Sequence, residues 1–126
     1  MKILVCAPLQ EVESKKIQEY FINDTVLIKR RPTQEDIDQV DVIVGNPHLD
    51  LNLNQEHLQA ILLNSAGSDQ YIKEGILNET TKLTNASGSY GIAISEHVIG
   101  MMITFCKNLK TYTLQMKEGN WLPSKQ

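Results

Sequence analysis

Three kinds of residue in this chain have types and spacings that could do chemistry: a turn almost bare of side chains, three histidines and two cysteines. The turn is the most informative. In "AILLNSAGSDQYI", Ala60 to Ile72, an apolar run with the pattern of a buried strand leads into Ser65, Ala66, Gly67 and Ser68, then into helical spacing. Backbone this bare at the end of a strand can offer N–H groups to an anion and lets a ligand approach the main chain closely. No Lys or Arg lies between Arg31 and Lys73, nor between Lys82 and Lys107, so an anion held here meets amides and no cation.

The other candidates are weaker. His48, His57 and His97, with Cys6 and Cys106, show no paired ligand spacing, and no metal site is expected. His48 is placed to line a cleft, His57 to sit on a solvated helix face, and His97 in a first helical turn reads as a surface or interface residue rather than a general base. Cys6 follows the first apolar run, where a thiolate ringed by amides could accept a phosphate. Pro8 and Leu9 argue against that, because the one removes a donor and the other adds bulk where a phosphate loop needs Gly, Ser or Thr. Both thiols are expected to be buried and reduced. Gly88 and Gly91 leave only G-x-x-G, so the chain lacks a dinucleotide fingerprint.

The elements that must position the turn follow from the apolar periodicity. Short β-rich runs, "KILVCA", "TVLIK", "DVIVG", "AILLN" and "KLTNA", alternate with "EVESKKIQEYF", "TQEDIDQV", "LNQEHLQ" and "SDQYIKEGIL", which carry apolar residues such as Val12, Ile17 and Tyr20 at helical spacing. Alternating β and α with mostly apolar strands predicts an α/β fold: a doubly wound parallel sheet of about five strands, flavodoxin-like, covered on both faces. The ligand in such a fold sits outside the carboxyl ends of the strands where the strand order reverses. The loops reaching that rim are Ala7–Gln10, Gly45–Leu49, Asn64–Asp69 and Asn85–Gly91. For each, the alternative is an ordinary tight strand-to-helix turn.

From Ser95, a candidate N-cap, apolar residues Val98, Met101, Met102, Phe105, Leu109, Tyr112 and Met116 recur at spacings of three and four up to Gly119, which predicts one long C-terminal helix, the alternative being a kink near Gly100 or Lys107 with the chain folded back. A helix of that length outreaches a small sheet, and its apolar face calls for a partner.

Composition sets the remaining bounds. The 126 residues carry 15 acidic against 12 basic side chains, a net charge of -3, and one basic cluster, "KRR" at Lys29 to Arg31. Neither a nucleic acid nor an anionic membrane is an expected partner. "MKILVCAPLQ" reads as a first strand rather than an export signal, because the apolar run is short and "QEVESKK" follows at once, so a cytoplasmic location is expected.

"LLNSAGSDQYI", "LTNASGSYGIAISEHVIGMMITFCKNL" and "MKEGNW", in that order and spacing, resemble the N-terminal part of the D-isomer-specific 2-hydroxyacid dehydrogenases. The likeness implies a substrate-side (catalytic) domain at residues 1–94. Residues 95–126 would then form an interdomain and dimerisation helix and the start of a linker to an NAD-binding domain not contained in this sequence. It further implies that amides of Ser65 to Ser68, Ala66 and Gly67 above all, hold the carboxylate of a small 2-hydroxy or 2-oxo acid, with Ala66 facing the nicotinamide of NAD or NADP. Asn46, Pro47 and Tyr90 would be wall residues. The family's catalytic Arg, Glu and His match nothing in this chain, so no catalytic residue is assigned here, no cofactor is expected on this chain alone, and the chain alone is expected to be inactive. Homodimer contacts are implied through Met101, Met102, Phe105, Leu109, Tyr112 and Met116. The rival is a stand-alone flavodoxin-like binding or regulatory module without enzymatic activity. A downstream G-x-G-x-x-G after a strand would favour the enzyme.

Overall fold

Leu4, Ile43, Ile61 and Leu83 stand side by side across four adjacent strands, and the first three are fully buried. That row is the centre of a five-stranded, all-parallel sheet ordered β2-β1-β3-β4-β5, the doubly wound α/β arrangement expected from the sequence. The computed structural model describes residues 1–122. In chain order the elements are β1 (Lys2–Val5), α1 (Glu11–Tyr20), β2 (Thr25–Ile28), α2 (Gln34–Ile37), β3 (Val42–Val44), β4 (Ala60–Leu62), β5 (Lys82–Thr84), α3 (Gly91–Cys106) and α4 (Leu109–Lys117). They fall into two compact units, Met1–Gly88 with the sheet and a second beginning at Ser89.

Within the first unit the two faces of the sheet differ. Leu4, Cys6, Ile43, Ile61 and Leu63 share one face and close a core with Ile37, Val40, Leu53, Leu58 and Tyr71. Each fully buried Leu or Ile there contributes about 1.5 to 3 kcal/mol relative to exposure. The opposite face, with Ile3 and Val5 at its buried centre, is half-buried at Val42, Val44 and Ala60 and exposed at Leu62. Coverage of both faces, expected from the apolar strands, is therefore unequal. Helix α1 buries no residue, and Val12 and Tyr20 are exposed rather than packed.

Two predicted helices are not formed. Residues 51–59 are irregular because side chains take the backbone groups a helix would pair: the Gln34 amide accepts from Asn52 N at 2.8 Å and donates to Asn52 O at 3.2 Å, while Asn52 Oδ1 accepts from Asn54 N. Leu53 and Leu58 still reach the core from these turns. Residues 68–77 make one helical turn, Ile72 N to Ser68 O, before Gly75 at φ 80° ends any propagation.

The second unit holds the long C-terminal helix, with a different start and an interruption. Helix α3 begins after Tyr90, not Ser95, whose hydroxyl instead donates back to Gly91 O inside the helix. A continuous helix to Gly119 is broken at Asn108, which takes the left-handed conformation (φ 51°, ψ 33°) and caps α4 by accepting from Tyr112 N. Asn is one of the few residues that tolerates this conformation, and the break falls beside Lys107, one of the two positions where a kink was the alternative to a continuous helix. Among the described residues no helix is long and apolar enough to cross a membrane.

Candidate functional site

All strands being parallel, the segments after Val5, Val44, Leu62 and Thr84 share one rim of the sheet. The order reverses between β1 and β3, which is where a ligand was expected. That crevice is closed. Gly45, at φ 114°, brings the chain so near β1 that a Cβ there would lie 2.5 Å from Ala7 N and 2.9 Å from Cys6 Sγ, and Cys6 N donates to Val44 O at 2.8 Å. An open cleft lies one strand further on, between the loops after β3 and β4, lined by Asn46, Ser65, Gly67, Asp69, Gln70 and Tyr71, and Ser68 lines a second one with Ile72, Leu83, Thr84 and Asn85.

The turn Ser65–Ser68 is held by its carbonyls. Ser65 O accepts from Ala86 N at 2.9 Å, Ala66 O from Asn85 Nδ2 at 2.7 Å, Gly67 O from Ser65 Oγ at 2.9 Å, and Ser68 O from Tyr71 N at 2.9 Å. The amides of Ala66, Gly67 and Ser68 donate to no acceptor among the described residues. The turn thus has its acceptors engaged inside the fold and its donors left over, at residues that are exposed or half-buried. Such a polarity favours an anion.

Asn46 braces this turn from the neighbouring loop. Its Nδ2 donates to Ser65 Oγ at 2.8 Å, and its Oδ1 accepts from Asn64 N at 3.0 Å. The Ser65 hydroxyl is therefore spent on Asn46 and Gly67, and only its backbone remains for a ligand. Pro47 is buried behind the cleft, where its carbonyl accepts from the Tyr71 hydroxyl at 2.7 Å. Tyr90 lies in the second unit, exposed, as the residue before α3. Asn85, whose amide fixes Ala66, is a positioning residue that the sequence reading passed over. Its signal was present, since Asn directly after a strand and before small residues is a frequent side-chain-to-backbone bridge.

The remaining candidates are placed away from this chemistry. His48 is exposed and pairs with Asp50 at 3.0 Å rather than lining the cleft. His57 contacts Ile37 O at 3.3 Å from a turn, not from a helix face. Burial pushes the Cys6 thiol up to about 11, so at neutral pH it is a protonated core group and no phosphate acceptor. Cys106 is exposed, contrary to the expectation of two buried thiols. Met101, Met102, Phe105, Leu109 and Met116 are exposed and Tyr112 is half-buried, all on α3 and α4.

No family model matches this chain, and no curated protein matches it. A solved structure does. The whole chain superposes on a phosphoglycerate dehydrogenase from Lactobacillus plantarum with a TM-score of 0.55 at 22% identity, covering 42% of that protein. The chain therefore spans less than half the length of that dehydrogenase. The likeness is one of fold, a five-stranded parallel α/β domain followed by a long helix.

Proposed function

We propose that this chain is the substrate-side domain of an NAD- or NADP-dependent D-2-hydroxyacid dehydrogenase, in which the Ser65–Ser68 turn grips the carboxylate of a small 2-hydroxy or 2-oxo acid. One observation carries the reading: the turn uses all four of its carbonyls inside the fold and leaves the amides of Ala66, Gly67 and Ser68 unclaimed at the carboxyl rim of a parallel sheet. Asn46 and Asn85 hold the turn in place through the Ser65 hydroxyl and the Ala66 carbonyl. The fold likeness to a dehydrogenase supports the same reading.

A nicotinamide bound in the intact enzyme would supply the hydride chemistry at C2, with Ala66 the residue of this chain that would stand beside it. Ala66 suits the neighbourhood of a flat ring, being exposed and ending in a single methyl. The proton-transfer and cationic groups come from polypeptide beyond this sequence, and homodimer contacts form through the apolar residues of α3 and α4 in a cytoplasmic protein.

Two charge-assisted hydrogen bonds supply about 3 to 6 kcal/mol, and association costs on the order of 4 to 15 kcal/mol. The chain alone therefore binds a 2-hydroxy acid no tighter than roughly millimolar and does not turn it over. Titrating the ¹⁵N-labelled chain with D-lactate tests this, with the amide signals of Ala66, Gly67 and Ser68 expected to move together. Shifts confined to other residues, or 2-oxo acid reduction by the purified chain with NADH, would sink it.

A further inference from the structure

Ser65 and Gly67 of the carboxylate turn line a cleft that offers no cation to a second anion. Of the six residues that line it, none is cationic and one, Asp69, is a carboxylate. Asp69 is exposed, and its side chain makes no hydrogen bond or ion pair among the described residues, so its charge is uncompensated at the cleft. The rim loops Gly45–Leu49, Asn64–Asp69 and Asn85–Gly91 hold no Lys or Arg, and Lys73, the first cation after β4, does not line the cleft. The cations at the carboxyl end of β2 are Lys29, Arg30 and Arg31, and β2 stands three places from β4 in the sheet. At about 4.8 Å per strand that is roughly 14 Å, beyond the Debye length of about 8 Å at physiological salt. Lys29 is moreover engaged by Asp36. The cleft measures about 280 Å³, at the small end of ligand sites.

We infer that this chain's side of the site favours small monocarboxylic 2-hydroxy or 2-oxo acids with an uncharged side chain and, through Asp69, disfavours acids bearing a second anionic group such as a phosphate ester or another carboxylate. The inference rests on the reading of the turn as a carboxylate site. Its electrostatic scale is modest: a second anion about 5 Å from Asp69 in a wet cleft loses a factor of about three to five in affinity.

The test is amide titration of the 126-residue chain with D-lactate, D-malate and phosphoglycerate, followed at Ala66, Gly67 and Ser68. D-lactate is expected to bind three- to fivefold more tightly than the other two. The gap should shrink in about 1 M NaCl, where the Debye length is about 3 Å, and in Asp69→Asn, an exposed position where the fold tolerates the change. Equal or tighter binding of phosphoglycerate to the native chain overturns the charge rule while leaving the carboxylate site standing. A gap that ignores both salt and Asp69→Asn also overturns it, because discrimination by shape would behave that way. No shift with any of the three acids overturns the carboxylate reading itself.

Discussion

The hydroxyl of Tyr71 donates to the carbonyl of Pro47 across 2.7 Å, in the buried layer behind the cleft. This bond ties the loop after β3 to the segment following the Ser65–Ser68 turn. Tyr71→Phe keeps the ring and strands a buried carbonyl. It is expected to cost about 1 to 2 kcal/mol in urea unfolding, and an unchanged midpoint would show that water or a loop shift replaces the phenol.

Gly45 and Gly67 should part company. Gly45→Ala must place a Cβ against Ala7 N and Cys6 while holding φ at 114°, so a loss of about 3 kcal/mol or failure to fold is expected. Gly67→Ala meets no heavy atom within 4 Å, and its stability should stay within about 0.5 kcal/mol of the parent. Yet the added methyl stands at the cleft and should weaken the D-lactate titration severalfold. Binding that survives in Gly67→Ala would place the acid elsewhere.

Acid stability has a local source in Asp36. Its hydrogen bond with Lys29, then that with the Thr33 backbone, holds its carboxyl down at about 2, against an ordinary 3.8. The folded pKa is depressed, so the stabilisation is complete above the unfolded value and drains away as pH falls from about 5 toward 2. Asp36→Asn should therefore be less stable than the parent at pH 7, with the difference closing as pH falls to about 2 and gone only below it. A difference undiminished between pH 7 and pH 2 would assign the effect to lost packing.

The two thiols should react on different timescales. Cys106 is exposed and Cys6 is buried with a raised pKa. A disulfide reagent at pH 8 is expected to label Cys106 at once and Cys6 only on unfolding. Prompt labelling of both would mean that the β1–β3 edge opens.

The fold was readable where burial dictates residue type. The five strands lie within the β-rich apolar runs, and in the central three, β1, β3 and β4, burial in a parallel sheet admits little else. The bare turn was readable too, since nothing in core packing asks for Ser-Ala-Gly-Ser after "AILL". What escaped was decided by single polar side chains acting at a distance: Gln34 taking the backbone of Asn52, and Asn85 reaching Ala66 O. Apolar periodicity is blind to such bonds. The closed crevice between β1 and β3 was equally hidden, for Gly45 looked like loop punctuation until its contact with Ala7 was seen.

The sheet contains no hairpin, for each strand pairs only with parallel neighbours reached through a long connection. During refolding no pair of strands can zip from a tight turn, and every ladder waits on the closure of an intervening segment. β3 and β4, whose partners Val42 and Ala60 lie nearest in sequence, are expected to meet first. On that order the Asn46 and Ser65 loops come together early, and mutations at Ile43 or Ile61 should slow refolding more than those at β2.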